Sequence, residues 1–600
     1  MLQALKEYGS RLDSEPGFKT REVRWCIEVA ADGRFLNVLP LGDGKRGQMQ
    51  LRCPDMHNMN AGGKSHFLVE TAQTVSLLFK ANEDAKKIAS SEVRHRFFVA
   101  MLREAANTIP ALSALTNVLE DDMKLTEIRD VLAQHKAKPT DWLGWRIDGI
   151  DPREDDTVQA WWRAWRHMDM RGGSTGFSTP SPSDTTMVCL LTGTSTQPLP
   201  THPKITGLSA VGGLGMGDVL VGFDKAAFGS FGLDQSANAA MSAEATQQYV
   251  DGLNDLIRNH SHKLANALVV HWFKEQIAQE DDPLEWLNGL ETPENTEAAV
   301  QAAARRLLDS VRSGGRALLG DNRYYALTLS GASGRVMVRD WVEGRFEDLV
   351  RNVEAWFFDQ AITKWDGRSL AFDPKLYEVC LGLVRNDRKK SISKNLEQLP
   401  ATSVSAIWKS AVQRLPIPQP LLAQALAQFR AERFTPDERN REVFYHARMG
   451  LIKAYFVRLK SGGDPAMTAY LNPEHPDPAY HCGRLLAVLS NLQHAALGDV
   501  GAGVVQRYYA AASQTPGLIL GRLASNARNH LGKLEGGLAY WYENKIADVM
   551  SQLGDRAPRI LDLEGQGLFA LGYYQQLASM RAGSKDKNAT TDTTKRGEAQ

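Results

Sequence analysis

The chain has 600 residues, several domains' worth at roughly 150 residues each. Hydrophobic content of 43%, charged content of 23% and 13 tryptophans exclude a disordered, collagenous or fibrous protein. Lysine plus arginine (70) equals aspartate plus glutamate (70), so no global field draws the chain onto nucleic acid or an anionic membrane, and any polyanion must meet a local patch.

The opening MLQALKEYGSRLDSEP carries Lys6, Glu7, Arg11 and Asp13, and so lacks the apolar stretch of an export signal. From Arg24 to Leu41 two β-branched and aromatic runs meet at Asp32-Gly33, a pair that closes hairpins. Gln48 to Cys53 predicts a third strand, and residues 91–109 show apolar positions at helical spacing. Between Met168 and His202 the composition turns to Gly, Ser, Thr and Pro, interrupted by the strand-like Met187 to Leu191. Strands are then predicted at 218–223, 267–273, 323–330 and 334–341, with a helix in AEATQQYVDGLNDLI. Beyond about 345 apolar residues recur at three and four, as in Leu485, Leu489 and Leu492. A Gly/Pro-dense break at 460–478 places a boundary near Met467, and the tail lacks apolar periodicity.

These patterns predict an α+β protein: a mixed strand/helix N-terminal domain (1–345), a helical connecting region (346–466), an all-α C-terminal helical bundle (467–581) and a disordered tail (582–600). The cysteines at 26, 53, 189, 380 and 482 lie far apart, which fits reduced thiols in a cytoplasmic protein. Nowhere do the roughly 18 apolar residues of a membrane span run together, so a soluble chain without a membrane partner is expected.

Motifs for chemistry fail their context. The loop Gly63-Lys64-Ser65 has Asn58 where a phosphate-cradling loop needs glycine. Ser174 sits in a G-x-S-x-G pattern, but a Trp-rich helical segment enters it where a strand is required. A hydrolase using Ser174 or the Gly63–Ser65 loop is kept as the alternative. His260 and His262 lack metal-ligand spacing, and GGLGMG (212–217) lacks the third glycine of a dinucleotide site. No catalytic residue, metal or cofactor is expected. Trp161, Trp162 and Trp165 recur at helical spacing, as a core face does.

The opening helix, CLLTGTSTQPLPTHPKITGL (189–208), VLVGFDKAAFGSFGLDQSANAAMSAEATQQYVDGLNDLI, VRDW (338–341) and LNPEHPDPAYHCGRLLAVLSNLQ (471–493) together resemble the large subunit of the type I-C CRISPR Cascade complex, of the Csd type. The resemblance implies a non-catalytic role in RNA-guided interference: recognising the protospacer-adjacent motif in duplex DNA, aiding strand opening and recruiting the helicase-nuclease. Implied partners are the guide RNA (crRNA), target double-stranded DNA and its displaced strand, the Cascade backbone and handle-binding subunits, and the small subunit. The C-terminal block is also expected as a separate small subunit from an internal start at Met467.

Three groups of residues follow as candidate contacts. Lys64, Ser65, His66 and Phe67 match the family's early Lys-x-x-Phe motif, and their phosphate-pairing and groove-reaching chemistries suit motif sensing. On the loop from Phe228 to Asn238, Gly229 and Gly232 permit close approach while Gln235 and Asn238 carry groove-reading amides. Arg484, Arg507, Arg522, Arg528 and Lys533 offer a basic stripe to a strand backbone.

Overall fold

A computed structural model describes residues 1–12, 15–42, 49–56, 63–170, 186–199, 201–288, 299–313, 317–385, 387, 389–431, 439–460, 463–498 and 503–597. The architecture is α+β. The chain forms two compact units, Met1–Ile205 with Val219–Asp255, and Thr206–Asp218 with Leu256–Gln600. The boundaries read from sequence at 345 and near Met467 both fall inside the second unit, because one hydrophobic core runs there from Leu264 to Met580.

In the first unit the strands are β1 (Phe18–Val23), β2 (Trp25–Val29), β3 (Phe35–Pro40), β4 (Met49–Pro54), β5 (Glu70–Thr71), β6 (Trp142–Ile147), β7 (Met187–Val188) and β8 (Ser195–Thr196). The β2–β3 hairpin closes as predicted, with Gly33 at φ +83° and the Asp32 carboxylate accepting the Arg34 backbone N–H. The third strand also forms, but β4 leaves the hairpin and pairs antiparallel with β1. The hairpin is extended instead by β6, parallel to β2, in the order β3-β2-β6-β5. Parallel pairing requires a long crossover, and that crossover contains the helix Ala85–Ala106, which buries Phe98, Met101, Leu102 and Ala105. The helix Asp156–Met170 turns Trp162 and Trp165 into the same core, as their spacing predicts.

Two strand expectations are corrected. Met187–Leu191 contributes only the two residues of β7, paired with β8. Residues 218–223 form no strand; the buried Asp218 carboxylate instead accepts the Leu214 N–H, 3.2 Å from each oxygen, and closes the glycine-rich loop on itself.

The second unit opens with β9 (Ser261–Leu264), β10 (Ala267–Phe273), β11 (Arg323–Ala332) and β12 (Arg335–Arg345), an antiparallel sheet ordered β12-β11-β10-β9. From Phe346 onward every regular element among the described residues is helical. The helices Pro478–Leu497 and Leu563–Gly597 pack backbone to backbone: a Cβ at Gly483 would lie 2.0 Å from the Phe569 carbonyl oxygen, and one at Gly572 would lie 2.1 Å from that of Tyr480. Glycine is obligatory at both crossings. The last helix continues through 582–597, where composition predicts disorder. Its first turns are anchored by Phe569, Tyr573 and Tyr574, and elongating a nucleated helix is far easier than starting one. No helix among the described residues is long and apolar enough to cross a membrane.

Candidate nucleic-acid interface

The early motif is part of the framework. Lys64, Ser65, His66 and Phe67 are all buried, so the reading of this run as a groove-contacting edge is replaced by a supporting one. Phe67 lies against Trp161 at 5.0 Å and stacks on Trp162 at 5.5 Å between ring centroids. The Ser65 hydroxyl is wholly enclosed, which removes it from any exchangeable phosphate, while Ser174 lies outside the described residues. His66 accepts the Met56 N–H at Nδ1 (3.0 Å), and burial holds its pKa below the ordinary histidine value.

What this framework supports is Arg21. Its guanidinium pairs with Asp55, lies 3.1 Å from His66 Nε2, and sits 4.3 Å above the Trp142 ring. Arg21, Arg24 and Trp142 line a polar cleft of about 250 Å³ together with Glu22 and Asp141. An arginine held by a carboxylate and an aromatic face keeps its orientation, so it can present N–H groups to a phosphate with little loss of entropy. Arg21 and Trp142 lie far apart along the chain, and no sequence signal joins them.

The loop after Phe228 presents a different residue from those the sequence singles out. Asn238 is consumed as a staple: its Oδ1 accepts the Ser230 N–H, and its Nδ2 donates to the Leu233 and Gln235 carbonyls, each at 2.9 Å. Phe228 is 38% exposed and Gln235 is exposed, but Phe231 at the tip is 101% exposed. Phe231 and Gln235 both hold positive φ, +52° and +46°, which costs a non-glycine residue of order 1–3 kcal/mol. The signal available in sequence was an aromatic flanked by turn formers, Gly229-Ser230-Phe231-Gly232.

In the second unit the five basic candidates divide. Arg484 is 4% exposed and belongs to the interior: it donates to Gln576 Oε1 (3.0 Å), the Pro473 carbonyl (2.8 Å) and His481 Nδ1 (2.9 Å). It is corrected from strand contact to internal brace. Arg507 on the helix Val504–Ala512, Arg522 and Arg528 on the helix Pro516–Leu531, and Lys533 just beyond it are exposed. No aspartate or glutamate occurs between Asp499 and Glu535, so these four cations are not neutralised along their own segment. Arg507 and His530 also line a cavity of about 180 Å³ between these helices.

No curated protein sequence matches the chain. The model of the family CRISPR-associated protein (Cas_Csd1) matches residues 3–581. That span takes in the hairpin front, the stapled loop and the helical block together, so the chain as a whole, and not one module of it, belongs to this CRISPR-associated family.

Proposed function

We propose that this chain is the non-catalytic large subunit of a type I-C Cascade surveillance complex, acting in the cytoplasm with a guide RNA. It recognises the protospacer-adjacent motif in duplex DNA, helps separate the strands and presents a surface to the helicase-nuclease. The observation that carries this reading is Phe231, a wholly exposed aromatic on a strained loop stapled by Asn238. A solvated phenylalanine at positive φ is poor design for a passive turn, whereas a rigid apolar wedge is what unstacks a base step. Gln235 beside it supplies an amide for the groove, and the cleft at Arg21 supplies phosphate contact.

Phe231→Ala in the assembled complex is expected to reduce opening of motif-bearing duplex about ten-fold, the order set by a lost unstacking contact. Fluorescence of 2-aminopurine next to the motif reads the opening. Binding to DNA carrying a pre-opened bubble stays unchanged. Equal opening by the variant and the parent would remove Phe231 from the mechanism.

The C-terminal bundle is, in this reading, also made as the small subunit from Met467. A free copy of 467–581 would uncover the aromatic face formed by Tyr509, Tyr573 and Tyr574, which packs on Phe429, Tyr445 and Trp365. Such a piece needs an assembly to cover it. A Met467→Leu codon conserves volume at this buried site, and the expected result is loss of a small C-terminal band from purified complex with the full chain intact. Persistence of that band would place the start elsewhere.

A further inference from the structure

Four metal-ligating side chains from three elements of the second unit converge at one end of its sheet. His262 on β9 pairs with Val269 on β10, two residues before His271, so both imidazoles emerge on the same face. Their rings lie parallel to within 8°, with centroids 5.9 Å apart. The chain then returns in the short helix Pro283–Asn288, with Asp282 immediately before it and Glu285 in its first turn. Asp282 Oδ1 accepts the Leu284 N–H, which fixes that carboxylate and turns Oδ2 toward His271 Nε2 at 2.8 Å. Glu285 Oε1 lies 2.9 Å from His262 Nε2. The donor atoms of His271, Asp282 and Glu285 all fall within 4.8 Å of one another.

We propose that His271, Asp282 and Glu285 bind a divalent transition-metal ion, with zinc the best fit, and that His262 orients Glu285 from the open side. One imidazole and two carboxylates form a donor set suited to a borderline cation, and the two carboxylates match its charge. Ligand atoms around a tetrahedral zinc at 2.0–2.1 Å sit about 3.3 Å apart. The hydrogen-bonded separation of 2.8 Å and the outer limit of 4.8 Å bracket that value, so side-chain rotations that change these separations by about 0.5 to 1.5 Å reach it.

Binding exchanges a hydrogen bond for a coordinate bond. The neutral His271 ring changes tautomer, its proton passing from Nε2 to Nδ1, the Nε2 lone pair goes to the metal, and no net proton is released. His271 Nδ1 is buried without a hydrogen-bond partner, a missing outer contact that costs roughly ten- to hundred-fold in affinity and places the site in the micromolar range. His271 is 2% exposed and Asp282 buried, while His262 and Glu285 side chains, at 29% and 28%, leave an entry path. The ion would pin the helix Pro283–Asn288 to the sheet. Sequence spacing hides the set, because the imidazole comes from a strand and the two carboxylates from a helix turn.

The full-length, untagged chain is stripped with chelator and dialysed against Zn²⁺, and bound metal is measured by elemental analysis. One zinc per chain is expected at about 10 µM free metal, unaffected by millimolar Mg²⁺, which prefers all-oxygen ligands. Glu285→Gln, isosteric and partly exposed, should lower affinity at least ten-fold without unfolding the chain, and His262→Ala should lower it by a similar factor. His271→Ala should abolish binding, but it also disturbs the interior, so the decision rests on Glu285→Gln. Absence of stoichiometric zinc, or zinc held by Glu285→Gln as tightly as by the parent, overturns the site.

Discussion

Replacing Arg507, Arg522, Arg528 and Lys533 together by alanine is expected to flatten the salt dependence of single-strand binding by the full chain. Each phosphate neutralised on a single strand contributes about 0.7 to the slope of log K against log salt, so four contacts contribute about 2.8. Between 50 and 200 mM salt that share alone is worth roughly 50-fold in affinity. The four side chains are exposed, and their segment contains no acidic residue to screen them internally. Stability should remain within about 0.5 kcal/mol, as for surface substitutions away from special features. Arg484→Ala should give the opposite signature. It leaves the Gln576 amide oxygen, the Pro473 carbonyl and His481 Nδ1 without their shared donor, at a cost of about 2–4 kcal/mol, with no change in salt slope. Fluorescence titrations of a labelled oligonucleotide across a salt series, paired with urea melts, separate the two. A quadruple variant with the parent's slope would mean that this face does not meet the strand.

The division of Arg484 from its four neighbours shows where sequence reading ran out. An arginine among leucines at helical spacing looks the same whether it points outward or braces a tight helix pair, and Gly483 beside it is the clue that a second helix comes within backbone contact. Strong local signals were legible: the Asp32-Gly33 hairpin, the strands β10, β11 and β12, and the tryptophan face of Asp156–Met170. What failed was non-local. Strand β6 lies far along the chain from β2, and nothing in WLGWRI says that it inserts beside the hairpin. Likewise the Lys-x-x-Phe run read as a motif-sensing loop because lysine pairs with phosphate and a hydroxyl or imidazole can reach groove atoms. Packing reversed that, since Phe67 is needed between the tryptophans and draws its neighbours inward. The loop at 228–238 was located by its glycines, but which residue the fold would present depended on Asn238 spending its amide on three backbone groups.

Buried histidines make the second unit acid-sensitive in a defined window. His481 Nδ1 faces the Arg484 guanidinium, which can only donate, and its Nε2 faces the His475 carbonyl, which can only accept. That pair of partners admits the neutral ring with its proton on Nε2 and excludes the cation. His446 Nε2 accepts the Trp365 backbone N–H at 3.2 Å, so protonation there sets donor against donor. Burial lowers both pKa values to about 4, from an ordinary value near 6.5. Because the folded-state value lies below the unfolded one, the unfolded chain binds the extra protons between them. Stability is therefore complete above about pH 6.5 and declines as pH falls toward 4. At pH 5 each histidine contributes a loss of roughly 2 kcal/mol. Carboxylates with lowered pKa values, such as Asp464 paired with Lys460, lose their contribution only below about pH 4.5 and stay out of this window. The urea midpoint should thus fall between pH 7.5 and 5. His446→Gln, which keeps an acceptor for the Trp365 N–H, should remove that ring's own share of the fall, roughly 2 kcal/mol at pH 5. A midpoint that does not move over this range, or one that falls equally in the variant, would show that these rings take up protons without opening the structure around them.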